Sequence, residues 1–180
     1  MKLVTAFLRL VRWPNLVFIA VTQSLFYYCI IRPFNAAVGG QWLFDTRNLL
    51  VLVIASVLIA AAGYIINDYF DLNIDRINKP EKLIVEKVIK RRWAIIWHIL
   101  LSLTGVLLSI YVDIREHLFW VGFANFICVL LLFGYSVSLK KKFLSGNVLI
   151  SLLTAWVIIV VFLRLLFQGC LPAMGRLCSY

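Results

Sequence analysis

Long apolar runs separated by short polar and basic segments make up most of the chain. Five of them, at about 16–31, 49–66, 93–112, 118–134 and 148–167, approach the roughly 20 mostly apolar residues a helix needs to cross a bilayer. The first is short and contains Gln23. Ahead of it, MKLVTAFLRLVRW mixes Lys2, Arg9 and Arg12 with apolar residues, the pattern of an amphipathic helix lying on a membrane surface. No convincing small-residue cleavage site follows, so this segment is not read as a signal peptide. The runs are unbroken rather than alternating, which argues against a membrane β-barrel. The pattern therefore predicts an all-α integral membrane protein. It divides into an interfacial amphipathic helix over 1–14, about five transmembrane helices over 15–167, and an atypical tail over 168–180. In that tail (QGCLPAMGRLCSY) the composition turns to Gly, Cys, Pro and Arg. Neither an internal repeat nor an interdomain linker is evident.

Composition supports this reading. Apolar residues form 63% of the 180 and charged residues 14%, against about 45–50% and 25% in soluble domains. The mean hydropathy is +0.97. A disordered chain is excluded and an ordinary soluble globule is ruled against. The net charge of +10 comes from 18 Lys and Arg against 8 Asp and Glu. These basic residues lie between apolar runs, which points to topology and anionic headgroups and away from nucleic acid. Most fall at the N-terminus (Lys2, Arg9, Arg12), after the second run (Arg76 through Arg92) and after the fourth (Lys140, Lys141, Lys142). Arg32, Arg47, Arg115 and Arg176 occupy the other side. This bias predicts a cytoplasmic N-terminus. Cys29, Cys128, Cys170 and Cys178 show no CxxC spacing, and His98 and His117 are too few for a histidine metal cluster.

The acidic residues are the informative ones. Five of the eight lie between Asp68 and Glu86. On a helix, Asn67, Asp68, Asp71 and Asp75 fall within about 100° of arc and are true neighbours. Stacked carboxylates repel by a few tenths of a kcal/mol per pair in water, and near a membrane desolvation adds to the cost. The run 49–66 is about 27 Å of helix, nearly the hydrocarbon thickness, so Asn67 sits where the second span leaves the lipid. A hard divalent cation, Mg²⁺ above all, explains such a cluster, with a phosphate or diphosphate as its further ligand. The plainer reading is a solvated acidic helix end balanced by the lysines and arginines that follow. Arg76, Lys79, Lys82 and Lys140–Lys142 could neutralise a diphosphate leaving group, yet positive-inside loops look the same. Tyr135 closes the fourth run, as an interfacial belt residue does. Ala60, Ala61, Ala62 and Gly63 allow close helix packing beside the acids. Gln23, His98 and Asn125 read as interhelical hydrogen-bond partners in preference to ligands.

Asn67-Asp68-x-x-Asp71-x-x-x-Asp75 at the end of the second span is similar to the first aspartate-rich motif of the UbiA family of membrane prenyltransferases. Arg12-Trp13-Pro14-Asn15 resembles that family's N-terminal segment, and Asp75-Arg76-Ile77-Asn78-Lys79-Pro80 its post-motif loop. Tyr135-Ser136-x-x-Leu139-Lys140 followed by Gly146-Asn147 resembles its segment between spans four and five. Within the family, the wording is most like bacterial geranylgeranylglycerol-phosphate geranylgeranyltransferase-like members. The resemblance implies an isoprenyl diphosphate with its tail in the bundle and its diphosphate at the cytoplasmic mouth. It implies Mg²⁺ on Asn67, Asp68, Asp71 and Asp75, with Asp68, Asp71 and Asp75 as the catalytic acids. Asn15, Arg76, Lys79, Tyr135 and Lys140 are the implied substrate-binding residues. The acceptor is an aromatic ring, a quinone precursor or a glycerol-phosphate hydroxyl, and the partners are that lipid-phase or phosphate-bearing acceptor, membrane lipids and, by self-association, a second copy.

Family members carry more spans and a second aspartate motif further along, whereas the last acidic residue here is Glu116. The expectation is thus the N-terminal half of a UbiA-type helical bundle, truncated and impaired in transfer. The alternative is a non-catalytic membrane remnant or assembly subunit. A CDP-alcohol phosphotransferase would show an Asp-Gly-x-x-Ala-Arg type signature, which is missing. Acids gathered at one end of one helix argue against a through-pore.

Overall fold

The computed structural model describes residues 2–37, 45–78, 89–116, 120–137, 155–156 and 158–162. Helix α1 (Lys2–Leu10) buries Ala6 and Leu10 and exposes Leu3, Val4 and Leu8. Helix α2 (Trp13–Phe26) starts after Arg12 and holds Pro14 in its first turn, where a backbone N–H has no partner to lose. It runs through a π-helical turn, Tyr27–Ile31, into α3 (Arg32–Ala37). In a regular α-helix the Pro33 ring would collide with the Cys29 carbonyl. The wider turn directly ahead of it relieves that clash and lets the apolar helix continue. Helix α4 (Thr46–Asn78) has 33 residues, about 50 Å at 1.5 Å each. Helices α5 (Arg91–Glu116) and α6 (Val121–Val137) follow, and residues 155–156 and 158–162 are helical.

Helices α4 and α5 form the most extensive pair. Their contacts at Asn48–Glu116, Ile59–Gly105, Ala62–His98 and Tyr69–Arg91 set an antiparallel register. Apolar side chains gain nothing from leaving lipid for protein, so close packing of small residues holds membrane helices together. Gly105 lies against Ile59 and the Ala55 carbonyl, and Gly63 against Leu132. Ala61 and Ala62, just before Gly63, are buried.

One apolar cluster joins Leu10 and Val11 to Ala61, Ala62, Ile65, Leu72, Ala94 and Leu101, at the end where the acids lie. A second joins Tyr27, Ile31, Leu49, Leu52, Val112, Val121 and Val160 at the far end. Large apolar residues such as Phe18, Ile99, Leu103, Phe126 and Leu130 remain exposed on the outside. That is the surface a lipid-embedded bundle presents.

Trp13–Ala37, Thr46–Leu72 and Arg91–Glu116 are each long and apolar enough to cross a membrane, and Val121–Val137 is a shorter apolar helix. The first span is therefore longer than the apolar run that signalled it. The fourth run corresponds to α6, and most of the fifth lies outside the described residues. Polar groups inside the bundle pair across helices, as expected from the sequence. Gln23 Nε2 donates to Ser56 Oγ at 3.0 Å, and His98 Nδ1 to the Ala62 carbonyl at 3.0 Å. Asn125 Nδ2 donates to Ser109 Oγ at 2.7 Å, while Asn125 Oδ1 accepts from Trp156 Nε1 at 2.9 Å. At the far end Asp113 caps α6, accepting from the Val121 and Gly122 amides at 3.2 and 2.6 Å.

Candidate active site

Helix α4 continues unbroken past its most apolar stretch, and this continuity aligns the polar residues. Tyr64, Asn67, Asp68 and Asp71 stand at spacings of three and four. Asn67 Nδ2 donates to Asp71 Oδ2 at 3.2 Å across one turn. Asp68, one residue on, faces the junction of α1 and α2. There Arg12 Nη2 donates to Asp68 Oδ1 at 3.1 Å. The same guanidinium lies 5.1 Å from the centre of the Tyr64 ring, close enough for a cation–π attraction. Asn15 Nδ2 donates to the Tyr64 hydroxyl at 3.3 Å. The Arg12-Trp13-Pro14-Asn15 segment and the aspartate segment thus meet, although the ion pair joins residues 56 positions apart.

The backbone at Arg12 makes this meeting geometric. Its φ of 52° and ψ of 54° are left-handed, a conformation costing about 1–2 kcal/mol for a residue with a Cβ. Arg12 is the one non-glycine residue with positive φ among the described residues. Such a bend breaks α1 from α2 and lets both pack against α4. An aromatic wall flanks the acids. Arg91 lies 5.3 Å from the Tyr69 ring centre, Phe70 meets Tyr69 and Phe133 edge-on, and Phe133 stacks on His98. The side chains of Arg12 and Asp68 are 47% and 27% exposed, so the site opens at the mouth of the bundle.

Of the residues singled out from the sequence, Asn15, Asn67, Asp68 and Asp71 come together here. Asp75 and Arg76 follow on the last turn of α4. Tyr135 lies in the last turn of α6. Lys79 and Lys140 lie outside the described residues. Among the described residues no group of three His, Cys, Asp or Glu side chains gathers as a metal cluster. The described donors are the two carboxylates of Asp68 and Asp71 with the Asn67 amide beside them. That set fits Mg²⁺, which commonly takes one or two protein carboxylates and completes its shell with phosphate oxygens and water. Tyr64 and Arg12 were not among the predicted site residues. Tyr64 precedes Asp68 by one turn, a spacing that marks it, whereas Arg12, marked in the sequence only within the Arg12-Trp13-Pro14-Asn15 segment, owes its place beside Asp68 to the left-handed bend.

An apolar helical bundle with two acids, an amide and an arginine gathered at one mouth defines a membrane protein with a polar site at one end of its helices. Residues 11–174 match the UbiA prenyltransferase family, and the chain belongs to that family. It is 34% identical over 152 residues to digeranylgeranylglyceryl phosphate synthase of Sulfurisphaera tokodaii, covering 84% of this chain and 50% of that one. It is 36% identical over 152 residues to the synthase of the same name from Sulfolobus acidocaldarius, again covering 84% and 50%. With the one from Korarchaeum cryptofilum it shares 36% identity, over 74% of this chain and 49% of the other. A solved structure concerning digeranylgeranylglyceryl phosphate synthase in membranes superposes with a TM-score of 0.74 at 26% identity, covering 91% of this chain and 54% of that one. The chain spans about half the length of the curated relatives it matches.

Proposed function

We propose that this chain binds an isoprenyl diphosphate, geranylgeranyl diphosphate by preference, and transfers its prenyl group to a hydroxyl of a glyceryl phosphate. The observation that carries the reading is the joining of Asn67, Asp68 and Asp71 to the Arg12–Asn15 segment at one mouth of an apolar bundle. The relatives named above favour a glyceryl phosphate acceptor over an aromatic or quinone-precursor one. Asn67, Asp68 and Asp71, with Asp75 one turn further on, would hold Mg²⁺. When bound, that ion neutralises the diphosphate and makes it a better leaving group. Asn15 and Tyr64 shape the rim, and Arg76, Lys79, Tyr135 and Lys140 are proposed to meet the substrate around it. The apolar helix faces take up the prenyl tail and keep water from the allylic carbon until the acceptor hydroxyl reaches it.

The reading places the site and the N-terminus on the cytoplasmic side and α1 in the interface, supported by the basic residues around both. It includes self-association with a second copy, which the oligomeric state in detergent tests. The test is transfer from radiolabelled geranylgeranyl diphosphate by membrane-reconstituted protein. Its acceptors are geranylgeranylglyceryl phosphate and aromatic acids, with Mg²⁺ and with EDTA. Product from the glyceryl phosphate alone, abolished by EDTA, is expected. No transfer by folded protein to any acceptor would instead assign the chain a non-catalytic role.

A further inference from the structure

Arg12 stands at the junction of α1 and α2. On one side, α1 packs through Leu10 and Val11 into the apolar cluster and through Phe7, whose ring centre is 5.2 Å from that of Trp97. On the other side α2 begins, with Asn15 bonded to Tyr64. Between them, the left-handed Arg12 is tied to α4 by its ion pair and by the Tyr64 ring. The oxygen it occupies, Asp68 Oδ1, belongs to the donor set assigned to Mg²⁺ in the function proposed above. A cation taking that oxygen sits beside the positive guanidinium, 3.1 Å from the same oxygen, and is repelled by it. The guanidinium itself has five donors and no acceptor, which suits it to phosphate oxygens as well as to a carboxylate.

We propose that Arg12 is a latch between α1 and the acidic site. With the site empty, it is the counter-ion of Asp68. When a metal and a diphosphate enter together, it gives up Asp68 and bonds the diphosphate, turning about its own left-handed backbone and shifting the α1–α2 junction. This inference rests on the site reading given above, and it assigns Arg12 opposite effects on two ligands. It competes with a bare cation, and it assists a cation that arrives with diphosphate.

The experiment uses the full chain in lipid nanodiscs, Mn²⁺ as the paramagnetic probe, and inorganic diphosphate. Electron paramagnetic resonance reads free and bound Mn²⁺. Arg12→Gln is expected to tighten bare Mn²⁺ by about two- to fivefold, the range set by losing a partly exposed ion pair. The same variant is expected to weaken Mn²⁺–diphosphate by about tenfold or more, as for a lost charged hydrogen bond. Arg12→Lys, which keeps the charge, should fall between wild type and Arg12→Gln on both measures. Hydrogen exchange in wild-type peptides covering 9–16 should change with Mn²⁺–diphosphate and not with diphosphate alone, a readout that stands even if Arg12→Gln fails to fold. Weakening of both ligands in Arg12→Gln, or unchanged bare Mn²⁺ affinity, overturns the latch alone. So does wild-type exchange that ignores Mn²⁺–diphosphate. Absence of Mn²⁺ binding by folded wild type overturns the metal site and the latch with it.

Discussion

Replacing Gly105 with alanine tests the helix packing that holds the site in shape. A Cβ at Gly105 would lie 2.7 Å from Ile59 Cγ1 and 3.1 Å from the Ala55 carbonyl oxygen. Carbon atoms in contact prefer about 3.5–4.0 Å, so the Ile59 contact alone demands a retreat of about 0.8 Å or more. Ile59 is buried, its Cγ1 lies close to the backbone rather than at the far end of the side chain, and the Ala55 oxygen belongs to the α4 backbone. Helices α4 and α5 must therefore part. Overpacking of this kind costs about 1–3 kcal/mol, against a gain of up to about 1 kcal/mol from replacing glycine in a helix. Gly134→Ala supplies the control, because a Cβ there meets nothing within 4 Å and the propensity gain is the same. The stability difference between the two variants isolates the steric part, expected at about 2 kcal/mol. The assay is reversible SDS titration from mild detergent, followed by circular dichroism. In an Ile59→Ala background the Gly105→Ala penalty should shrink, because one of its two obstacles is gone. Equal stabilities for Gly105→Ala and Gly134→Ala, within the roughly 0.5 kcal/mol scatter of additive effects, would refute the close α4–α5 approach.

Asp113→Ala removes the acceptor for two amides at the start of α6 and should destabilise by about 1–2 kcal/mol, with faster exchange in the first turn of α6 before any other helix. Asn125→Leu breaks bonds to Ser109 and Trp156; membrane hydrogen bonds average about 0.6 kcal/mol and reach about 1.7, so a loss of about 1–2 kcal/mol by SDS titration is expected. Purified in detergent, the chain is expected to elute as a self-associated species by multi-angle light scattering, and a monodisperse, thermally robust monomer would count against self-association.

Much of this molecule could be read from its sequence because lipid imposes strict terms. A spanning segment must satisfy its own backbone and be apolar for about 20 residues, so the helices announce themselves as runs. Helical spacing likewise aligned Asn67, Asp68 and Asp71, and the Asn67–Asp71 bond is its direct consequence. Gln23, His98 and Asn125 stood out because an amide or imidazole inside lipid needs a partner. What stayed hidden depends on how segments meet. The Arg12–Asp68 pair rests on a left-handed residue that periodicity does not mark. The π turn before Pro33 arises from one local clash, and hydropathy is blind to it. Asp113 and Glu116 carried no role in the sequence reading. Their partners, the α6 amides and Asn48, become visible only when α5 is laid against α6 and α4.

Asp68 and Asp71 are proposed to form a magnesium-dependent diphosphate site at the mouth of the bundle. Equilibrium binding of radiolabelled geranylgeranyl diphosphate to nanodisc-embedded protein tests it most directly, because binding does not require turnover. Saturable binding with Mg²⁺ is expected, lost on chelation and weakened by at least about tenfold in Asp71→Ala, as for a lost charged ligand. Binding of equal strength with EDTA, or in folded Asp71→Ala, would contradict it.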